Sequence, residues 1–174
     1  TYLLFVVVAL WLGGCTGLPD QVEPVGGFDS GRYLGTWYEI ARLDHSFERG
    51  LSRVTAEYSL REDGSIRVLN RGYDAEEQGW KTAEGRAKFV GPRTQGHLKV
   101  SFFGPFYASY VIFELDPAYS TAYIAGYNHD YLWLLSRNPQ ISDAAKTRFV
   151  EVVERKGFSV DDLIWVDQSP IRAK

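Results

Sequence analysis

A single cysteine, Cys15, is all that the 174 residues contain, so no disulfide can form within the chain. In an exported protein one leftover thiol asks for its own explanation. Excess charge is also missing: 19 Lys and Arg stand against 22 Asp and Glu, a net charge of −3. No basic stripe interleaves with aromatics, which argues against nucleic acid as a partner. Gly-x-Gly-x-x-Gly, a P-loop and Gly-x-Ser-x-Gly are all absent. His45, His97 and His129 fall in three separate segments without metal-ligand spacing. Asp44-His45-Ser46 contains the residue types of a hydrolytic triad, but neighbours on an extended chain point in alternating directions and do not line up as orienter, base and nucleophile. These gaps remove the familiar enzyme classes and leave no expectation of a catalytic residue, metal or cofactor.

The remaining composition is that of one globular domain. At 45% hydrophobic and 24% charged residues the chain is too apolar for disorder. Its 5 Trp, 11 Tyr, 10 Phe and 17 Gly favour pleated strands joined by tight turns.

The longest apolar run, Leu3 to Leu12, is too short to cross a bilayer as a helix and suits the apolar region of a signal peptide. It ends in Leu12-Gly13-Gly14-Cys15, which resembles a lipobox. In such motifs small residues before the cysteine admit the peptidase, and the thiol receives a diacylglycerol whose chains are of the palmitate kind. Cys15 is therefore expected to carry the lipid, residues 1–14 to be signal peptide and residues 15–26 to be a tether. The charged stretch and start methionine of a signal peptide are absent, so the first residue is expected to lie inside it. Thr16, rather than Asp, follows the cysteine, a feature that in lipoproteins points to the outer membrane. Each buried acyl CH₂ contributes about 0.8 kcal/mol, so two or three chains anchor stably.

From Gly35 onward, short alternating segments are separated by turn signals. Strands are expected at 37–42, 54–60, 65–73, 80–90, 96–103, 107–115, 121–127 and 131–137, with Gly64 in the first hairpin turn. The spacing predicts eight antiparallel strands in meander order. One helix follows, capped by Ser142, striped by Ala145, Phe149, Val152 and Val153, and stopped at Gly157. A short strand, 163–166, closes the domain. An eight-stranded barrel has an interior wide enough for one small ligand, and the helix is expected to pack outside.

Alternation sorts the faces. Val54, Ala56, Tyr58 and Leu60 share one side, as do Ile66, Val68 and Asn70, and Leu98, Val100 and Phe102. Ala83, Gly85 and Ala87 oppose the wet Glu84, Arg86 and Lys88. Small inward residues are expected to leave volume, and unfilled volume in a barrel is a pocket.

Tyr33-Leu34-Gly35-Thr36-Trp37-Tyr38-Glu39, near the start of the domain, and Leu132-Trp133-Leu134-Leu135-Ser136-Arg137, near its end, resemble the opening and closing motifs of the lipocalin family. The resemblance spans about residues 27–168, leaving 169–174 as a tail. It is nearest to bacterial outer-membrane lipoprotein lipocalins, with apolipoprotein D and plant temperature-induced lipocalins further off. It implies an up-and-down β-barrel whose closed end is plugged by Trp37, with Arg137 stacked on the indole and Gly35 part of the same motif. It also implies binding of fatty acids or lysophospholipids and a role in envelope maintenance, at the periplasmic face of the outer membrane. A structural lipoprotein with a closed barrel is the alternative.

The expected ligand-lining residues are Ala56, Tyr58, Asn70, Val100, Phe102, Tyr110 and Trp133, with Asn70 and the tyrosines orienting a head group. Glu39 is expected on the inner side with Trp37 and Ala41, either bonded to a nearby Tyr or Arg or setting head-group preference. The aromatic loop Phe102-Phe103-Gly104-Pro105-Phe106-Tyr107 reads as a portal or membrane contact, or else as a self-covering cluster or homodimer face. Asp116 keeps its place in the middle motif but has Leu115 and Pro117 as neighbours, so its turn contacts do not follow from the resemblance.

Overall fold

The computed structural model describes residues 15–171; the segment read as signal peptide, 1–14, lies outside the described residues. Eight antiparallel strands form the barrel: β1 Gly35–Leu43, β2 Leu51–Leu60, β3 Ile66–Asp74, β4 Gly79–Phe89, β5 His97–Phe103, β6 Phe106–Leu115, β7 Thr121–Ala125 and β8 Leu132–Ser136. Each pairs with the next, and β1 closes the ring by pairing with β2 through its first half and β8 through its second. Where β1 parts from β2, the ninth strand β9, Leu163–Trp165, pairs with its residues 41–43. Period-2 alternation thus located every strand to within three residues at either end. The short helix α1, Ser30–Tyr33, carries no periodic signal and was not foreseen; Asp29 Oδ1 caps it by accepting from Gly31 N at 2.9 Å.

Helix α2, Asp143–Arg155, begins where Ser142 Oγ accepts from Ala145 N at 3.1 Å. It ends at Gly157, whose φ of +88° lets Phe158 N return to Val153 O at 3.1 Å. Phe149, Val152 and Val153 are buried, and Phe158 stacks on Phe113 of β6 at 5.9 Å.

The barrel wall separates two apolar clusters. Outside, α2 covers Ile40, Ala41, Val111, Phe113, Tyr123 and Leu134. Inside, Trp37, Ala56, Tyr58, Ile66, Val68, Ala87, Leu98, Ile112 and Ile124 fill the closed half. Leu60 shares the inward parity of Tyr58 but is exposed, because it is the last residue of β2 and its side chain lies past the packed core.

A β-bulge corrects the expected phase of β1. Glu39 faces Leu135 and Ala41 faces Leu134, leaving Ile40 as the extra residue. Ala41 therefore does not share a side with Trp37 and Glu39: Ile40 and Ala41 both belong to the outer cluster. The inner sequence becomes Trp37, Glu39, Arg42, and the Arg42 side chain is buried instead.

The loops at 44–50, 75–78, 104–105 and 126–131 make one rim, the mouth, and the remaining turns make the floor. Residues 15–26 lie along the wall: Val22 is buried in the outer cluster, and Val25 N donates to Ile112 O at 2.9 Å.

Candidate functional site

The floor is closed by Trp37, which is fully buried, its Nε1 donating to Tyr33 O at 2.8 Å. The Arg137 guanidinium lies 3.9 Å from the indole centroid. It donates to the carbonyls of Thr36 (2.9 Å), Leu34 (2.9 Å), Arg32 (3.0 Å), Tyr33 (3.2 Å) and Tyr119 (3.2 Å). Those carbonyls sit where α1 hands over to β1 and at the β6–β7 turn, so one planar fork ties three chain segments together. Gly35 has φ +98°, and a Cβ there would sit 3.2 Å from Arg137 Nη1. Glycine is required twice over, for backbone conformation and for the approach of the guanidinium. Asp116 does make its turn contacts, accepting from Ser120 N (2.7 Å), Ser120 Oγ (2.8 Å) and Thr121 N (2.6 Å).

Above the floor runs a chain of polar groups within an otherwise apolar interior. Tyr110 Oη lies 2.7 Å from Tyr33 Oη and 2.8 Å from Tyr58 Oη. Burial raises all three phenol pKa values, so the hydroxyls stay protonated. Nearer the mouth, Arg42 Nη1 donates to Glu39 Oε1 at 2.8 Å, with both side chains buried. Its Nη2 donates to Glu48 O at 2.9 Å and Leu51 O at 3.2 Å, holding the β1–β2 loop across the interior. His45 Nε2 is 2.6 Å from Glu48 Oε2, and Trp133 Nε1 donates to the same oxygen at 3.0 Å. Arg42 Nε and both ring nitrogens of His45 are buried without a hydrogen bond of good geometry among the described residues, the Nε2 contact with Glu48 being one of ion-pair distance. Polar atoms left open in this way are available to a ligand or water.

Two carboxylates close together and buried do not titrate alike. Glu39 is raised well above the ordinary carboxylate value, by burial first and then by the neighbouring Glu48 charge, with Arg42 opposing both. Burial pushes Glu48 up as well, but His45, Trp133 and Arg42 together outweigh it and hold its pKa below the ordinary value. The pair therefore shares its protons unequally, with Glu48 the carboxylate and Glu39 the group that retains the proton longer.

The residues expected to line the interior are brought to one compartment. Ala56 and Tyr58 are buried members of the inner cluster, with Val100, Phe102, Tyr110 and Trp133 packed against it. Asn70 is half-buried, paired with Ala56 and Ala83 across its two neighbouring strands. Glu39 lies in the same interior, bonded to Arg42. The expectation that small residues on β4 leave space needs correcting at Gly85. A Cβ there would meet Ser101 O at 2.8 Å and the Phe102 ring at 2.9 Å, so Phe102 already occupies that volume. Arg42, His45 and Glu48 were missed as interior groups. Arg42 is hidden by the bulge; His45 and Glu48, three apart, meet in a turn that strand alternation does not describe.

The barrel thus holds a cluster of buried charged groups beneath an aromatic-lined mouth, and comparison with known proteins gives its family. Residues 28–168 match the family described as a lipocalin-like domain, and the protein belongs to the lipocalin family. It is 54% identical over 167 residues to the outer membrane lipoprotein Blc of Vibrio cholerae, covering 95% of this chain and 98% of that one. It is 53% identical over 150 residues to the protein of the same name from Escherichia coli K12, covering 86% and 85%. Among solved structures, the cockroach allergen Per a 4 superposes with a TM-score of 0.68 at 25% identity, covering 88% of this chain and 96% of that one.

Proposed function

We propose that this protein is an acylated outer-membrane lipoprotein that binds fatty acids or lysophospholipids in its barrel and stores or transports them, supporting envelope maintenance. The observation that carries the reading is the interior itself. An apolar wall encloses a hydrogen-bonding chain of Tyr33, Tyr110 and Tyr58, followed by Glu39, Arg42, Glu48 and His45 towards the mouth. An acyl chain suits the wall, and a polar head group suits the charged end beneath the rim. Ala56, Tyr58, Asn70, Val100, Phe102, Tyr110, Trp133 and Glu39 are the contacts this reading assigns. The two relatives named as outer membrane lipoproteins support the location, with Cys15 as the acylated residue and the periplasmic face as its side. The reading makes the protein a carrier rather than an enzyme.

One observation favours the alternative of a closed barrel without a physiological ligand. Phe102 fills the space over Gly85, and the tyrosine hydroxyls satisfy one another. Native mass spectrometry of gently extracted protein, followed by titration with lysophospholipid and long-chain fatty acid, separates the two. Stoichiometric bound lipid or saturable binding supports the carrier; a folded protein that holds and binds neither establishes the closed barrel.

A further inference from the structure

Among the described residues, the most exposed large apolar side chains are two partners in one hairpin. Phe103 and Phe106 pair at the tip joining β5 to β6 and are 80% and 78% exposed. Phe47 of the β1–β2 loop is 57% exposed at the same mouth, its ring 6.1 Å from Phe102. Leaving such side chains in water forfeits the burial that aromatic groups normally obtain, and clustered exposure marks a surface that something covers.

Three features specify the covering. Behind the hairpin on the outer wall, Lys88 and Lys99 lie 5.6 Å and 5.1 Å from the Tyr107 ring. Neither pairs with a carboxylate among the described residues, although the chain as a whole is acidic. Aromatics in front of amines suit an interface of acyl chains beneath anionic phosphates. The N-terminal segment is fastened to the same place: Ser109 N donates to Cys15 O at 2.7 Å and Ser109 Oγ to Gly17 O at 2.6 Å. Ser109 is three residues along β6 from Phe106, a distance of about 10 Å at the rise of a strand. Finally, the β3–β4 loop elsewhere on the rim carries the exposed Glu76 and Glu77, which an anionic surface repels.

We infer that the protein docks mouth-down on a phospholipid bilayer with anionic head groups, leaning on its β5–β6 side, with Phe103, Phe106 and Phe47 entering the interface beside the lipid on Cys15. The barrel then opens onto the membrane rather than into the aqueous space, and ligand passes between bilayer and interior without crossing water. The inference rests on the lipoprotein reading only for the acyl chains of Cys15; the hairpin and lysines are independent of it.

Orientation is tested on the full chain with Phe106→Trp and, at the floor, Leu60→Trp, bound to vesicles of phosphatidylethanolamine and phosphatidylglycerol carrying brominated acyl chains. The fluorescence added at position 106 is expected to be quenched and that added at position 60 to be unaffected. Equal quenching, or quenching at position 60 alone, overturns the inference. Affinity is tested by vesicle flotation in a Cys15→Ser background, where partitioning is expected to fall at least about tenfold on adding Phe103→Ser and Phe106→Ser. A Cys15→Ser parent with no affinity for these vesicles, or one whose affinity survives loss of both rings, overturns it. So does a hairpin variant that converts a dimer to a monomer without changing partitioning, because the face then belongs to a second copy. Failure of lipid titration into the barrel leaves these readouts untouched, so the carrier reading and the docking inference fail separately.

Discussion

Arg137→Ala removes the tie that holds the barrel floor. Five carbonyls from two chain segments lose their shared donor, at distances from 2.9 to 3.2 Å, and Trp37 loses the cation stacked at 3.9 Å. A hydrogen bond from a charged donor contributes about 1.5–3 kcal/mol net, and a cation over an aromatic face about 0.5–2 kcal/mol. The five bonds share one fork and do not add, and the guanidinium is part-exposed, so we expect a loss of about 3–4 kcal/mol in all. For a chain of this size each kcal/mol shifts Tm by about 2–4 °C, which puts the melt roughly 10 °C lower. Urea unfolding and thermal melting followed by far-UV circular dichroism measure both quantities. Arg137→Lys is expected to recover less than half of the loss, because an ammonium cannot reproduce a planar five-donor fork. The mouth is at the other end of the barrel, so lipid affinity of the folded variant stays at the wild-type value. A destabilisation of Arg137→Ala below about 1 kcal/mol, within reach of an ordinary surface substitution, would refute the reasoning.

Three further variants test the interior. Glu39→Gln, folded, is expected to change the affinity for at least one amphiphile; unchanged affinity for every one removes Glu39 from the ligand reading. Because the folded pKa of Glu39 is raised, the native state binds the extra proton, and the side chain opposes stability as pH rises from the ordinary carboxylate value towards its folded pKa. The same variant should gain stability relative to wild type over that rise, measured by urea midpoints at successive pH. Glu48 has the opposite sign: its depressed pKa contributes stability that is present above the ordinary carboxylate value and lost as pH falls through the folded one. Glu48→Gln should therefore flatten the acid limb of the stability profile, and an unchanged limb counts against the His45–Glu48–Trp133 link. Gly85→Ala places a methyl group 2.8 Å from Ser101 O and 2.9 Å from the Phe102 ring, an overpacking expected to destabilise by about 1–3 kcal/mol. A near-neutral result in the same urea assay would mean that Phe102 moves aside at little cost.

Much of the architecture was legible because the signals behind it are local. A strand with one wet face must alternate, so Val54 to Leu60 and Ile66 to Asn70 announced their faces from neighbours alone. Helix α2 was readable from its cap, its stripe and the glycine that follows. The barrel-end motifs were equally plain, since Gly35, Trp37 and Arg137 are unusual in combination. The candidate site was less legible. The tyrosine cluster joins residues 77 and 52 positions apart, and Trp133 reaches Glu48 across 85. No local rule announces such meetings.

By itself, then, the sequence determined an all-β barrel with an external helix and most of its strand faces, because periodicity and turn chemistry act over a few residues; its floor was implied by the resemblance of the two end motifs to a known family. Tertiary structure decided what the interior contains. The bulge at Ile40 depends on how β1 registers with β8, and only that register turns Ala41 outward and Arg42 inward. The same closure brings two carboxylates, a guanidinium and an imidazole together out of water, where burial and proximity, and not spacing along the chain, raise the pKa of Glu39 and lower that of Glu48.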